Sequence, residues 1–111
     1  MLSNERYQFI LECVKGVALD AVWLYLEDDS QSYEERKEKF LWMLKKMVDE
    51  RLITLAKDGI LIRDSIEDVL DQFRMAFPAY DGDLNNGIWF FTPSCPCGIG
   101  WLLQDGSIDW A

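Results

Sequence analysis

A short β-hairpin signal lies near the middle of this chain, at residues 53–62, where the sequence reads ITLAKDGILI. Two β-prone runs flank Asp58-Gly59. A two-residue type I′ turn needs positive φ at both central positions, and it favours this dipeptide for that reason. The segment therefore predicts two antiparallel strands joined by a tight turn. Because helical patterns lie on both sides of it, the hairpin places the chain among mixed α+β folds.

The first predicted helix is capped by Ser3 or Asn4 and runs to about Leu26, because apolar residues recur on one face at steps of 100°. That face consists of Ile10, Val14, Val17, Ala21 and Leu24. Phe9, Leu19 and Trp23 lie within or beside the polar face, so we expect a second layer against this helix.

The second predicted helix opens at Ser32, which forms a capping box with Glu35. Its inward side consists of Phe40, Leu41, Leu44, Met47 and Val48. Its basic residues are Arg36, Lys37, Lys39, Lys45, Lys46 and Arg51. Glutamates and an aspartate nearby in the sequence balance their charge. Such an alternation of signs favours a solvated, salt-bridged face over a helix that recognises DNA.

The third predicted helix opens at Ser65 and stops near Phe77, because Pro78 follows. Beyond an irregular acidic loop, the pattern predicts three strands, at about Ile88–Thr92, Ile99–Leu103 and Ser107–Trp110, with a tight turn between the last two. The predicted fold is α+β: three helices, a short β-hairpin and a C-terminal three-stranded antiparallel meander, in a single domain over residues 1–111.

Charge is distributed unevenly along the chain. The net charge is −9, and residues 64–111 carry eight acids against Arg74 alone. Nucleic acids and acidic membrane surfaces are therefore unfavourable partners, whereas a basic protein would be attracted. An acidic surface that only keeps the protein monomeric gives the same pattern. Charges interrupt the N-terminal apolar run, so we expect no signal peptide and a cytoplasmic protein.

The segment SCPCGIGW at residues 94–101 contains two cysteines one residue apart. Structural zinc needs about four cysteine or histidine ligands, and the chain has three cysteines and no histidine, so we expect no metal. A redox pair is a poor interpretation, because no basic neighbour in the sequence lowers a thiol pKa. Pro96 and Gly98 instead predict a turn that carries two reduced, apolar-like thiols inward.

Other chemistry is weakly supported. Asp81, Asp83 and Asn85 alternate as in a calcium loop, but Asn86 stands at the glycine position and Thr92 at the bidentate glutamate position. The sequence contains no nucleophile motif, phosphate-binding glycine loop or nucleotide fingerprint. We therefore expect no enzyme and no cofactor.

The aromatic C-terminal region is the candidate binding site. Alternation along a strand would point Trp89 and Phe90 to opposite faces of the sheet. Tryptophans surrounded by carboxylates, with no base nearby, suit a positively charged protein partner. The candidate partner-binding residues are Asp81, Asp83, Trp89, Asp105, Asp109 and Trp110. A sheet core with a few exposed aromatics explains the same residues.

The block CPCGIGWLLQDGSIDWA, the Phe77-Pro78 pair and the helix SYEERKEKFLWMLKKMVDERLITLAKDG carry a family resemblance. Together they resemble a small bacterial family of unknown function, with a Cys-Pro-x-Gly turn, a tryptophan strand and a final Asp-Gly turn before a tryptophan. Members of that family resemble immunity proteins encoded beside contact-dependent inhibition and other polymorphic toxins, many of them nucleases.

The resemblance implies an immunity protein that binds a cognate basic toxin, without catalysis. The acids would steer the partner toward the surface, and Trp89 or Trp110 would anchor it. A non-catalytic adaptor that pairs through an apolar helix face or a sheet edge, including as a homodimer, is the alternative.

Overall fold

The computed structural model describes residues 2–111 and has a mixed α+β fold. Its α-helices are α1 (Asn4–Val14), α2 (Leu19–Tyr25), α3 (Tyr33–Asp49) and α4 (Ile66–Ala76). Its strands are β1 (Ile53–Lys57), β2 (Ile60–Leu61), β3 (Gly98–Leu102) and β4 (Ile108–Trp110). Two segments, Glu27–Asp29 and Asp81–Phe91, form 3-10 helices. The α+β class is confirmed, with more helices than the three predicted.

Three helices begin where the sequence predicts. The side-chain oxygens of Ser3, Ser32 and Ser65 accept hydrogen bonds from backbone N–H groups three residues later, at 3.0–3.2 Å. Each serine thereby satisfies one of the N–H groups that a helix start leaves without a partner. These local signals fix where α1, α3 and α4 begin.

The prediction of one continuous helix to Leu26 is wrong. The chain breaks at Gly16, whose φ of +80° is left-handed, and a separate helix, α2, begins at Leu19. The break reverses part of the predicted burial, because Trp23 is fully buried, whereas Val17 and Leu24 are exposed. Glycine permits this turn because it has no β-carbon to clash with its own backbone.

The predicted hairpin is confirmed. Asp58 and Gly59 adopt φ of +53° and +80°, as a type I′ turn requires. The hairpin is part of a four-stranded antiparallel sheet with the order β2-β1-β3-β4. Strand β1 pairs with β3, so that Ile53 lies opposite Trp101, and β4 forms one edge of the sheet. The hairpin and the C-terminal strands thus share one sheet.

The predicted strand at Ile88–Thr92, and with it the three-stranded meander, is wrong. Residues 81–91 are 3-10 helical, with a kink where Asn85, Asn86 and Gly87 have left-handed backbone angles. Trp89 stacks on Phe77 at 5.3 Å between ring centroids. Trp89 and Phe90 are both buried, which a strand with one open face does not allow. Packing of the two rings against the helices overrides the β propensity of this segment.

The core lies between the helices and one face of the sheet. Trp23 is at its centre, with its ring centroid 5.8–6.0 Å from those of Tyr33, Phe40, Phe77 and Phe90. From the sheet, Ile53, Leu55, Ile99 and Trp101 are buried against this cluster. Within residues 2–111, the helices are too short or too polar to cross a lipid bilayer.

Candidate functional site

The two faces of the sheet differ in their surroundings. The inner face carries the buried residues of β1 and β3 and packs against the helices. Strand alternation and register place a second set of side chains on the opposite side: Thr54, Ala56, Leu61, Gly98, Gly100, Leu102, Ile108 and Trp110. We call this set the outer face. Leu61, Leu102 and Trp110 are exposed on it, so the outer face is open to solvent.

Trp110 extends from the edge strand β4 over Gly100 of β3 on the outer face. It lies opposite Gly100 in the β3–β4 register. A β-carbon built on Gly100 would stand 2.8 Å from Cε3 of Trp110 and would also meet Cγ2 of Ile108. Because residue 100 has no side chain, the indole of Trp110 can pack directly on the backbone of β3. Trp110 is nevertheless 53% exposed.

A groove of about 510 Å³ lies at the end of the sheet beside Trp110. Its walls come from the β1–β2 turn, the segment 90–97, the start of β3 and the end of β4. Phe91 and Trp110 line it and are 64% and 53% exposed. A concavity of this size, lined by apolar and polar groups in similar measure, is a candidate binding site. We call it the Trp110 groove.

Among the residues that the structure describes, Lys57 is the only lysine or arginine that lines the Trp110 groove. Its Nζ donates hydrogen bonds to the carbonyl of Pro93 at 2.9 Å and to that of Cys95. No carboxylate lies within ion-pair distance of this ammonium in the part of the chain from residue 2 to residue 111. The prediction that no basic residue lies near the cysteines is wrong, because the hairpin brings Lys57 to them.

The cysteine turn points inward as predicted. Cys95 and Cys97 are buried free thiols, and Sγ of Cys95 lies 3.3 Å from the carbonyl of Cys97, to which it donates. Burial raises the pKa of Cys95 to about 11 and that of Cys97 to about 12, and Lys57 offsets this only in part. Both thiols stay protonated at neutral pH, so they are poor nucleophiles.

The predicted partner-binding residues separate into different environments. Trp110 lies on the outer face, whereas Trp89 is 7% exposed and stacked in the core, so Trp89 has no surface with which to anchor a partner. Asp105 accepts hydrogen bonds from the backbone N–H and the hydroxyl of Ser107, which lower its pKa and hold the turn before β4. Asp109 pairs with Trp101 and points to the inner-face side.

Asp81 and Asp83 lie at the start of the 81–91 segment and not beside Trp110. Asp81 lines two clefts of about 220 and 200 Å³, together with Glu27 and Arg36. Neither Trp110 nor Asp109 lines these clefts. The structure therefore brings Trp110 to a groove but does not gather all four predicted carboxylates around it.

Arg36 is a residue that the sequence does not separate from its basic neighbours. It is 8% exposed, and its Nε and Nη2 donate to the carbonyl of Trp23 at 3.1 and 2.7 Å. Its guanidinium carbon lies 4.3 Å from the centroid of the Trp23 ring, and its Nη1 lies 4.0 Å from Oδ1 of Asp81. Burial lowers the pKa of Arg36, and Asp81 and Glu27 oppose that shift. Arg36 lines both of the clefts that Asp81 lines. This position depends on tertiary packing, so the sequence pattern of α3 does not predict it.

The structure is similar to that of an uncharacterized protein conserved in bacteria, from Neisseria meningitidis. The TM-score is 0.79 and the sequence identity is 28%, over 96% of this chain and 90% of that chain. No curated protein matches the sequence. A family model described as a protein of unknown function, DUF596, matches residues 48–111, which include all four strands and the Trp110 groove. Because this match extends over more than half of the sequence, the chain belongs to the DUF596 family.

Proposed function

We propose that this chain is a binding protein that neutralises a basic bacterial toxin domain, and that the toxin docks on the outer face and the Trp110 groove. The observation that carries the proposal is the pair of exposed rings, Phe91 and Trp110, on a groove at the end of the sheet. Exposed aromatic rings beside a concave surface are typical of the residues that dominate binding energy in protein interfaces.

The apolar character of the outer face supports a protein partner. Leu61, Leu102 and Trp110 are exposed on this one face, which also carries Gly98 and Gly100. Exposed apolar surface on an otherwise charged protein marks interaction sites. Burial of such a surface releases about 25 cal/mol for each Å² removed from water, so a protein-sized partner gains more from it than a small molecule does.

Charge supports a basic partner. The net charge is −9, and no lysine or arginine follows Arg74 in the sequence. Attraction between this negative charge and a basic partner would raise the association rate. Phe91 and Trp110, once buried in the complex, would slow dissociation. A nuclease toxin exposes basic residues that grip phosphate, and an acidic protein placed over them would close that site.

Binding rather than catalysis is the activity that fits this site. The two thiols that line the Trp110 groove stay protonated, and the ammonium of Lys57 is held by two carbonyls. Among residues 2–111, the side chains that line the groove therefore include no activated nucleophile, and its one ammonium is bound to carbonyls and not to Asp58, the carboxylate that also lines it. We propose that the protein is not an enzyme and that it acts by occupying the toxin surface.

Co-expression with the neighbouring open reading frame tests this proposal. We expect the wild-type chain to rescue the growth of cells that express a toxic neighbour, and a Phe91→Ala/Trp110→Ala double variant to lose that rescue. Met75→Ala is the matched control, because Met75 is exposed on α4 and is not a groove residue. A neighbour that is harmless, or a double variant that rescues as well as the wild type, would contradict the proposal.

The second candidate function is an adaptor that uses the same open face for a different partner, including a second copy of itself. The exposed side chains of Leu102 and Trp110 favour the binding of another protein surface to this face. Light scattering of the purified protein separates the two candidates, because a homodimer through the outer face would double the mass and would dissociate in the Trp110→Ala variant.

A further inference from the structure

Strand β4 is the edge of the sheet that is nearest to the Trp110 groove. Within residues 2–111, the sheet order places β3 on one side of β4 and no strand on the other. The backbone N–H of Leu103 bonds the carbonyl of Ser107, and that of Ala111 bonds the carbonyl of Ile99. With Trp101 opposite Asp109, this register makes residues 107, 109 and 111 the ones that bond β3.

The backbone groups of residues 108 and 110, which lie between these three, therefore point away from β3. In an antiparallel ladder, successive residues direct their N–H and C=O groups alternately to the two sides of the strand. Ile108 and Trp110 accordingly present these groups to the free side of β4. Among residues 2–111, their backbone N–H groups have no acceptor. Two donors and two acceptors are thus arranged as a template for one more strand.

We propose that an extended segment of the basic partner adds to β4 as a fifth strand and bonds the backbones of Ile108 and Trp110. This inference rests on the proposed function and names how the partner binds. Main-chain hydrogen bonds would provide affinity, and alternate side chains of the added strand would extend the outer face next to Trp110.

The charge around β4 selects a basic strand over a second copy of the chain. Asp105 is in the turn before β4 and Asp109 is within it, and no lysine or arginine lies between residues 75 and 111. Two copies of β4 in antiparallel pairing, with Ile108 opposite Trp110, would place each Asp109 opposite the Asp109 of the other copy without a compensating cation, and like charges across a strand pair are destabilising. Lysines on an added strand would instead face Asp109.

A pair of substitutions at Ile108 tests strand addition. The N–H of Ile108 points away from β3, so Ile108→Pro removes the donor that the added strand needs and leaves the β3–β4 ladder in place. Ile108→Ala removes the same side chain and keeps the donor. The probe is a synthetic peptide of about twelve alternating lysines and valines, with a glutamate–valine peptide as the charge control.

We expect the wild-type protein and Ile108→Ala to bind the lysine peptide, and Ile108→Pro to bind it at least about tenfold more weakly. Backbone amide exchange gives the second readout. In the free protein Asp109 and Ala111 should be protected and Ile108 and Trp110 should exchange quickly, and the peptide should slow both of the latter.

Equal binding by the proline and alanine variants, or fast exchange at Ile108 and Trp110 in the complex, would overturn strand addition. A wild-type protein that binds neither peptide, or one that dimerises until Ile108→Pro separates the copies, would overturn it as well. These outcomes are independent of the co-expression result, so the experiments can refute strand addition without refuting toxin binding through the groove. Failure of rescue by the wild-type chain refutes the proposed function itself.

Discussion

The indole of Trp110 lies over Gly100 of the neighbouring strand, where a β-carbon would approach Cε3 of the ring to 2.8 Å. The same β-carbon would approach Cγ2 of Ile108 still more closely, so Gly100→Ala should displace both Ile108 and Trp110 from the sheet. We expect the substitution to reduce the free energy of unfolding by about 1–3 kcal/mol, because an added methyl group in a tightly packed place forces its neighbours to move. Urea unfolding measures this loss, and tryptophan fluorescence reports the new environment of the ring.

Gly98→Ala is the control for this substitution. Gly98 lies on the same strand and the same face, but a β-carbon there would approach only the carbonyl of Ala56, at 4.0 Å. It should change the unfolding free energy by less than about 0.5 kcal/mol, as is usual for surface changes. Equal effects of the two substitutions would show that Trp110 does not depend on a bare position beneath it.

Arg36→Lys should destabilise the fold although it preserves the charge. Two nitrogens of the Arg36 guanidinium bond the carbonyl of Trp23, and its plane covers the Trp23 ring. A lysine ammonium cannot make both contacts from one position. We expect a loss of about 2 kcal/mol in urea unfolding, the scale of a hydrogen bond from a charged group.

Arg74→Lys is the matched change for Arg36→Lys. Arg74 is exposed on α4 and bonds the exposed carboxylates of Glu38 and Asp71. Because exposed ion pairs contribute little, we expect a loss below about 1 kcal/mol. If Arg36→Lys cost no more than Arg74→Lys, the packing of Arg36 on Trp23 would not contribute to stability.

The buried thiols should make the protein less stable at high pH. Burial raises the pKa of Cys95 to about 11 and that of Cys97 to about 12, whereas an unfolded thiol ionises near 9. Below pH 9 both states hold the protons, and stability is at its full value. Above pH 9 the unfolded state loses them first, so the free energy of unfolding falls as the pH rises toward 11. The loss is roughly 1 kcal/mol per thiol at pH 10.

Urea unfolding between pH 8 and pH 10 measures this dependence. Tyr7 and Tyr33 also have raised pKa values from burial, so the comparison is between the wild type and a Cys95→Ala/Cys97→Ala variant. The slope should be shallower in the double variant. Parallel profiles would mean that the thiols are already ionised, or already exposed, in the folded protein.

Local signals predicted the parts of the fold that depend on a few neighbouring residues. The Asp58-Gly59 turn and the serine caps of α1, α3 and α4 appear where the sequence places them, because their geometry is satisfied within four or five residues. The segment IWFFT at residues 88–92 has strong β propensity and nevertheless adopts a 3-10 helix up to Phe91. Its rings gain more from burial against Phe77 and Phe40 than from a strand pairing.

The sequence predicts only those parts of the candidate site that depend on local signals. Trp110 lies on a strand that sequence alternation and the Asp105-Gly106 turn had already placed. The groove beside it needs Lys57 and Phe91, which are far apart in the sequence and meet only through the β1–β3 pairing. Arg36 has the same charged neighbours as the other bases of α3, and only the position of Trp23 on α2 buries it.

The affinity of the purified complex with the co-encoded basic protein tests most directly whether the open face of the sheet binds the partner. Titration calorimetry of Trp110→Ala against Met75→Ala compares a groove residue with an exposed residue on α4 that lies outside the groove. If Trp110 anchors the partner, its removal should raise the Kd by about 30-fold or more, and Met75→Ala should leave it unchanged. A Kd that both substitutions leave unchanged would contradict binding through this face.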